Sequence, residues 1–176
     1  MEQILGDYRA FFADLLTRLD AAGIDVSGRP LSHIAFRTET MDDYRRVRRE
    51  ILAYCVSEVE NVWNGRPIGK LLLKEPLSLD ASFDVSLIEL IPPKHQRTYP
   101  MGLEHAGFVL GDEHDEFAIR HRDVLTEQQD QGPWCQPWVI TFRNNHSVKF
   151  YREGLKEVIE REGRRFLPLN QQRNPA

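Results

Sequence analysis

The sequence has only two cysteines, Cys55 and Cys135, which lie far apart and outside any CxxC spacing. A disulfide scaffold has almost nothing to build on, and a reduced, cytoplasmic compartment is the expectation. The opening Met1-Glu2-Gln3-Ile4 carries no basic segment followed by an apolar run, so no secretory signal is read there. No apolar stretch approaches the roughly 18 to 20 residues that a spanning helix needs, so no membrane partner is expected. Positive charge is not in surplus either: 23 Lys and Arg stand against 27 Asp and Glu, for a net charge of −4. Such a field does not favour nucleic acid, and no nucleic-acid partner is expected. What is present is ordinary for a globular protein: 41% apolar and 28% charged residues over a length of 176. A single compact domain over 1–170 follows, with residues 170–176 read as a tail.

Along the chain, Ile4, Leu5, Tyr8, Phe11, Phe12, Leu15, Leu16 and Leu19 recur at intervals of three and four. This spacing predicts an amphipathic N-terminal helix within 1–23, stopped near Gly23, whose apolar stripe must dock on something. After Pro30, residues 31–38 read as a strand, and Thr40 with Asp43 resembles a helix cap. Tyr44, Val47, Ile51, Leu52 and Cys55 then follow helical spacing, with Arg45, Arg46, Arg48 and Arg49 on other faces. That arginine cluster reads as a solvated surface balanced by Asp42, Asp43 and Glu50 rather than as an anion site. Asn64-Gly65 supplies a tight turn between strands at 57–63 and 67–74, and residues 83–91 form a further strand. The first half, 24–92, therefore reads β-α-β-β-β.

The second half, 103–163, begins in the same way. Leu31-Ser32-His33-Ile34-Ala35-Phe36 and Leu103-Glu104-His105-Ala106-Gly107-Phe108 share the pattern Leu, any, His, any, small, Phe, each ahead of a helical segment. A duplicated module is the economical reading. Its helix is expected between 112 and 129, its hairpin at 138–143 and 147–151 around Asn144-Asn145-His146, and a last helix around Leu155, Val158 and Ile159. On this count the second module is one strand short.

Alternation along a strand puts Phe83, Val85, Leu87, Glu89 and Ile91 on one face, so Glu89 is a carboxylate among apolar residues and needs a partner. It also puts His33 beside Leu31, Ala35 and Arg37, and His105 beside Leu103, Gly107 and Val109. The small residue two positions on leaves room near each imidazole. If the modules pair about a pseudo-twofold axis, both imidazoles and Glu89 face one cavity, and two His with one carboxylate make a metal site. Iron, manganese, zinc and nickel all suit it. The plainer possibility is a pair of structural histidines with Glu89 in a buried ion pair with Arg37.

The run Tyr99-Pro100-Met101-Gly102-Leu103-Glu104-His105 resembles the YecM family, as do Asn64-Gly65-Arg66-Pro67-Ile68, the segment 31–37, and Ser147-Val148-Lys149-Phe150 with Glu157-Val158-Ile159. The resemblance spans nearly the whole chain. It implies the vicinal oxygen chelate superfamily, an α+β fold in which two βαβββ modules form a cupped mixed sheet around a divalent metal ion, as in glyoxalases and extradiol dioxygenases. Here that sheet would carry an extra N-terminal helix. The resemblance also implies ligands on the first and last strands of each module, which are His33, Glu89 and His105. The segment 147–151 carries no carboxylate, which makes a three-ligand site closer to the dioxygenase type.

The function this reading predicts is a metal-dependent isomerase, lyase or dioxygenase acting on a small oxygen-rich substrate. Tyr99 and Arg37 are the candidates to orient that substrate, each also readable as a packing tyrosine and a salt bridge. Trp63, Trp134 and Trp138 either wall the cavity or pack the core, and His95, His114, His121 and His146 are expected to be exposed. One alternative is a non-catalytic small-molecule-binding protein on the same fold. Another is an interaction domain whose N-terminal helix docks a partner or a second copy. No feature of the sequence speaks to oligomeric state.

Overall fold

The computed structural model describes residues 1–94 and 100–172. The N-terminal stripe forms two helices rather than one, a single turn α1 (Glu2–Leu5) and the longer α2 (Tyr8–Ala21). The break falls at Gly6, where φ is 77°, and Asp7 then caps α2 by accepting a hydrogen bond from the Ala10 N–H at 2.9 Å. The first module follows with β1 (Leu31–Arg37), α3 (Met41–Leu52), β2 (Cys55–Trp63), β3 (Arg66–Ser78) and β4 (Asp84–Ile91). Thr40 caps α3 from its hydroxyl, 3.0 Å from the Asp43 N–H. Asn64 and Gly65 both adopt positive φ, 50° and 75°, and close the β2–β3 hairpin as their types predict.

The second module repeats that order with β5 (Gly102–Val109), α4 (His114–His121), β6 (Glu127–Gln128), β7 (Trp138–Thr141) and β8 (Ser147–Tyr151). Two expectations need correction here. The second helix stops at His121 instead of running toward 129, and the chain then forms β6, so the module is not a strand short. Beyond His121 the only apolar residues before Gly132 are the adjacent Val124 and Leu125, which pack against the core but set no helical stripe. Two short helices close the description, α5 (Leu155–Arg161) and α6 (Leu169–Gln172), so the expected tail from residue 170 begins inside a helix.

All eight strands join one mixed sheet in the order β2-β3-β4-β1-β5-β8-β7-β6. β1 and β5 run antiparallel at its centre, and each is flanked by the last strand of its own module, parallel to it. The halves are therefore related by a pseudo-twofold axis between β1 and β5. The result is an α+β fold with a cupped mixed sheet of two βαβββ modules, with α1 and α2 added at the N-terminus.

The convex face carries the main core. Ile34, Phe36, Ile88, Leu90, Ala106, Phe108, Val148 and Phe150 pack there against Phe12, Leu15 and Leu19 of α2, Val47 and Ile51 of α3 and Phe117 of α4. The α2 stripe is thus consumed by its own sheet. No helix among the described residues is long and apolar enough to cross a membrane.

Two irregularities in the β1–β5 pairing govern the opposite face. Leu31 pairs with Phe108 but His33 with Gly107, so Ser32 is an extra residue on β1. Ala35 pairs with His105 but Phe36 with Leu103, so Glu104 is the matching extra residue on β5. Each is a β-bulge, which breaks the alternation and re-aims a side chain. Leu31 and Leu103 accordingly pack against the helix-side core instead of sharing the histidines' face. Phe83 also departs from the expected face, its ring lying 5.3 Å from Phe12 and 5.8 Å from Phe108.

Candidate metal centre

His33 and His105 come from equivalent places on the two central strands, and Glu89 comes from β4 beside Ala35. The three donor atoms converge. His33 Nε2 lies 3.3 Å from His105 Nε2, and Glu89 Oε2 lies 3.3 Å from His105 Nε2 and 3.8 Å from His33 Nε2. The imidazoles are edge to face, with an interplanar angle of 89°. Both are 0% exposed and Glu89 is 8% exposed.

A triangle with these sides has a circumscribed radius of about 2.0 Å, which matches the roughly 2.0 to 2.2 Å bonds that a divalent ion makes to imidazole nitrogen and carboxylate oxygen. The outer nitrogens are held in the way a ligating pair requires. His105 Nδ1 sits 3.3 Å from Glu104 Oε1, and His33 Nδ1 sits 2.9 Å from Ser32 Oγ. An ionised Glu104 only accepts, so the Nδ1 of a neutral His105 carries the proton and its Nε2 presents a lone pair. Ser32 Oγ also accepts from the Leu155 N–H at 2.8 Å, which ties the start of α5 to the site. Two imidazole nitrogens and a carboxylate oxygen lie within 4.8 Å of one another and could hold a metal ion, and the donors present fit a divalent one.

The charges around it are ordered in a chain. Burial pushes the Glu89 carboxyl up, but Lys70 and the hydrogen bond with His105 outweigh it and hold Glu89 well below its ordinary range. Lys70 Nζ stands 3.5 Å from Glu89 Oε1, leaving Oε2 for the imidazole side. Burial holds His33 well below its usual value, against the pull of Glu89, so its ring is neutral. Glu104 is likewise pushed up by burial and brought down further by His105 and Arg37, to a net value far below the usual carboxylate range. Arg37 grips that carboxylate through Nε and through Nη2, the latter at 2.9 Å, and donates to the Pro92 carbonyl at 3.3 Å. The buried ion pair conceived between Arg37 and Glu89 is therefore replaced by two: Arg37 with Glu104, and Lys70 with Glu89.

Above the triad, the concave face encloses a cavity of about 400 Å³ whose wall includes Trp63, Ile68, Lys70, Glu89, Lys149 and Leu155. Of the three candidate ligands only Glu89 lines it, and the imidazoles lie beneath. Arg37 also lines it, while Tyr99 lies outside the described residues. Trp63 walls the cavity as one reading had it, Trp138 packs against the helix-side core, and Trp134 is 48% exposed. The arginine cluster on α3 is a solvated surface: Arg45 pairs with Asp42, Arg46 with Asp43 and Glu50, and Arg48 with Glu58. His114 is a correction, being buried with Nδ1 3.0 Å from Asp115 rather than exposed. His95 lies outside the described residues, and His121 and His146 are half-buried.

Ser32, Glu104 and Lys70 are the contributors that the sequence pattern did not single out. The signal for the first two was present, because both occupy the unassigned place before His in the repeated pattern, and both bear oxygen.

The model of the family described as "YecM protein" matches residues 1–162. Comparison with the curated proteins finds no match. Among solved structures, "Structural Genomics, Protein EC4020" superposes with a TM-score of 0.69 at 21% identity, covering 92% of this chain and 96% of that one. Hypothetical protein BH1468 from Bacillus halodurans C-125 gives 0.47 at 12% identity, covering 70% of this chain and 94% of that one. The 2,3-dioxygenase LapB from Pseudomonas sp. KL28 gives 0.45 at 13% identity, covering 73% of this chain and 42% of that one.

Proposed function

The chain belongs to the YecM family, and from that premise we propose that it is a vicinal-oxygen-chelate-type enzyme that holds one divalent metal ion on His33, Glu89 and His105 and acts on a small oxygen-rich substrate. The observation that carries this reading is the convergence of those three donor atoms, all within 4.8 Å of one another at the floor of a cavity. Iron, manganese, zinc and nickel all accept two nitrogens and one oxygen, with positions left over for substrate. When bound, the ion supplies Lewis acidity to a pair of neighbouring substrate oxygens, in an isomerase, lyase or dioxygenase reaction.

The chain's own residues prepare that chemistry. Glu104 accepts the Nδ1–H hydrogen bond of His105 and orients its ring, and Arg37 holds Glu104 in place, which makes Arg37 a positioning residue. Ser32 does the same for His33. Lys70 occupies one oxygen of Glu89 so that the other points inward. Trp63, Ile68 and Leu155 contribute apolar surface to a cavity wall that is otherwise largely polar and charged. Substrate would enter on the Glu89 side, the part of the triad that borders the cavity.

Elemental analysis of protein purified without chelators tests the proposal. Near one metal ion per chain is expected, lost in His33→Ala and Glu89→Ala while circular dichroism stays native. Absence of metal, together with no affinity for iron, manganese, zinc or nickel, would sink it and favour a non-catalytic binding protein on the same fold.

A further inference from the structure

The pseudo-twofold relation assigns every position in one half of the sheet a counterpart in the other. β1 and β4 run parallel with Ala35 beside Glu89, and β5 and β8 run parallel with Gly107 beside Lys149. Ala35 and Gly107 are counterparts themselves, since Ala35 stands opposite His105 and Gly107 opposite His33. Lys149 therefore occupies the place of a second Glu89. Its neighbours obey the same relation: Ile88 and Leu90 match Val148 and Phe150, all buried on the helix side.

Lys149 is 9% exposed and lines the cavity that Glu89 borders. The other buried lysine there is already committed, with Lys70 paired to Glu89 and donating to Asn61 Oδ1. Lys149 has no such partner: no side-chain hydrogen bond or ion pair reaches its Nζ among the described residues. The residues beside it in the sheet are Gly107 on β5 and Val139 on β7, neither with an acceptor on its side chain. Glu89, Glu127, Asp130 and Glu162 share the cavity wall, yet none is in ion-pair contact with this buried cation among the described residues, and an anion arriving in the cavity would supply that contact.

Building on the metal reading above, we propose that Lys149 binds an anionic oxygen of the substrate, so the substrate class is a small carboxylate or similar oxyanion with vicinal oxygens. In this half of the sheet a cation that faces the cavity stands where the other half has the metal-facing carboxylate. Selectivity for negative charge then comes from the protein and not from the ion alone.

Calorimetric titration of the full chain with Mn²⁺, and of the Mn²⁺-loaded protein with oxalate, tests this. Wild type should bind Mn²⁺ and then oxalate. Lys149→Met should bind Mn²⁺ at least as tightly, because a nearby cation is gone, yet bind oxalate at least about tenfold more weakly. Lys149→Arg should restore most of the oxalate affinity and guards against a merely misfolded Met variant. Lys149→Glu should tighten Mn²⁺ and exclude oxalate, as a second carboxylate at the symmetric place requires. Normal Mn²⁺ binding with equal oxalate affinity in wild type and Lys149→Met overturns the role of Lys149 and leaves the metal reading standing. A wild-type chain that takes up none of Mn²⁺, Fe²⁺, Zn²⁺ and Ni²⁺ overturns both.

Discussion

Gly107 stands directly across the central strand pair from His33, and a Cβ built on it would lie 2.5 Å from His33 Cε1 and 2.8 Å from His33 Nδ1. The third neighbour of that imaginary atom is the Tyr151 ring, at 3.0 Å. Glycine at this position is a steric requirement of the imidazole rather than of the backbone, whose φ there is unexceptional. The symmetric contact, His105 across from Ala35, tolerates one methyl group.

Gly107→Ala is therefore expected to displace the His33 ring while leaving the sheet paired. Overpacking of this kind costs about 1 to 3 kcal/mol. Metal affinity should fall by about tenfold or more, since the ring loses its alignment with Glu89 and with Ser32. Urea unfolding and metal titration of the same preparation separate the two effects. Wild-type affinity in the variant would show that His33 is not held by this contact.

Ser32 and Glu104 should act through the histidines behind which they stand. Glu104→Gln removes the charge that Arg37 and His105 share, and Ser32→Ala removes the acceptor of both His33 and the Leu155 N–H. Outer partners of metal-bound histidines are typically worth about 10- to 100-fold in affinity, and a loss in that range is expected for Glu104→Gln. The acid limb of stability provides an independent readout. The Glu104 carboxyl is depressed in the folded protein, so its contribution is present above the ordinary value of 4.5 and is lost as pH falls below it. Unfolding measured from about pH 6 down to about pH 3 should steepen less in Glu104→Gln than in wild type. Parallel acid profiles would mean that Glu104 is not stabilised in the way its contacts imply.

These residues also mark the limit of what the sequence carries. The repeated Leu, any, His, any, small, Phe pattern located both histidines, and the lone carboxylate among apolar strand residues located Glu89. Strict alternation then misassigned Leu31 and Leu103 and hid Glu104, because a bulge shifts parity and strand periodicity alone does not register it. Lys149 was hidden for another reason. The 72-residue separation that links His33 to His105 does not link Glu89 to Lys149, so their equivalence exists only in the pairing of β4 and β8 with the central strands. The short β6 was missed because two residues carry no period.

The two cysteines should be chemically silent in the folded state. Burial is the largest influence on both, and it pushes the Cys55 and Cys135 thiols up to about 12. At neutral pH almost no thiolate is available for attack. Iodoacetamide at about pH 8 is expected to label neither residue in native protein and both in urea, as read by mass spectrometry. Rapid native labelling of Cys135, which borders the cavity, would contradict the environment described for it.

The fate of the N-terminal helix separates a core element from a detachable docking arm. Phe12 is 1% exposed, and its ring contacts Phe83 at 5.3 Å and Phe108 at 6.2 Å on the convex face. Phe108 in turn lies 6.3 Å from Phe150, which packs on Phe117 at 4.5 Å, so one aromatic chain joins α2, both modules and α4. Truncating its first member leaves a cavity that the rigid sheet is poorly able to refill. Phe12→Ala should cost about 3 to 5 kcal/mol, a large part of the stability of a domain this size. Removal of residues 1–22 should leave a chain that does not fold, since Phe11, Phe12, Leu15 and Leu19 would vanish from the core together. A truncated chain that stays soluble, monomeric and cooperative in urea would show instead that α2 is an accessory to the sheet.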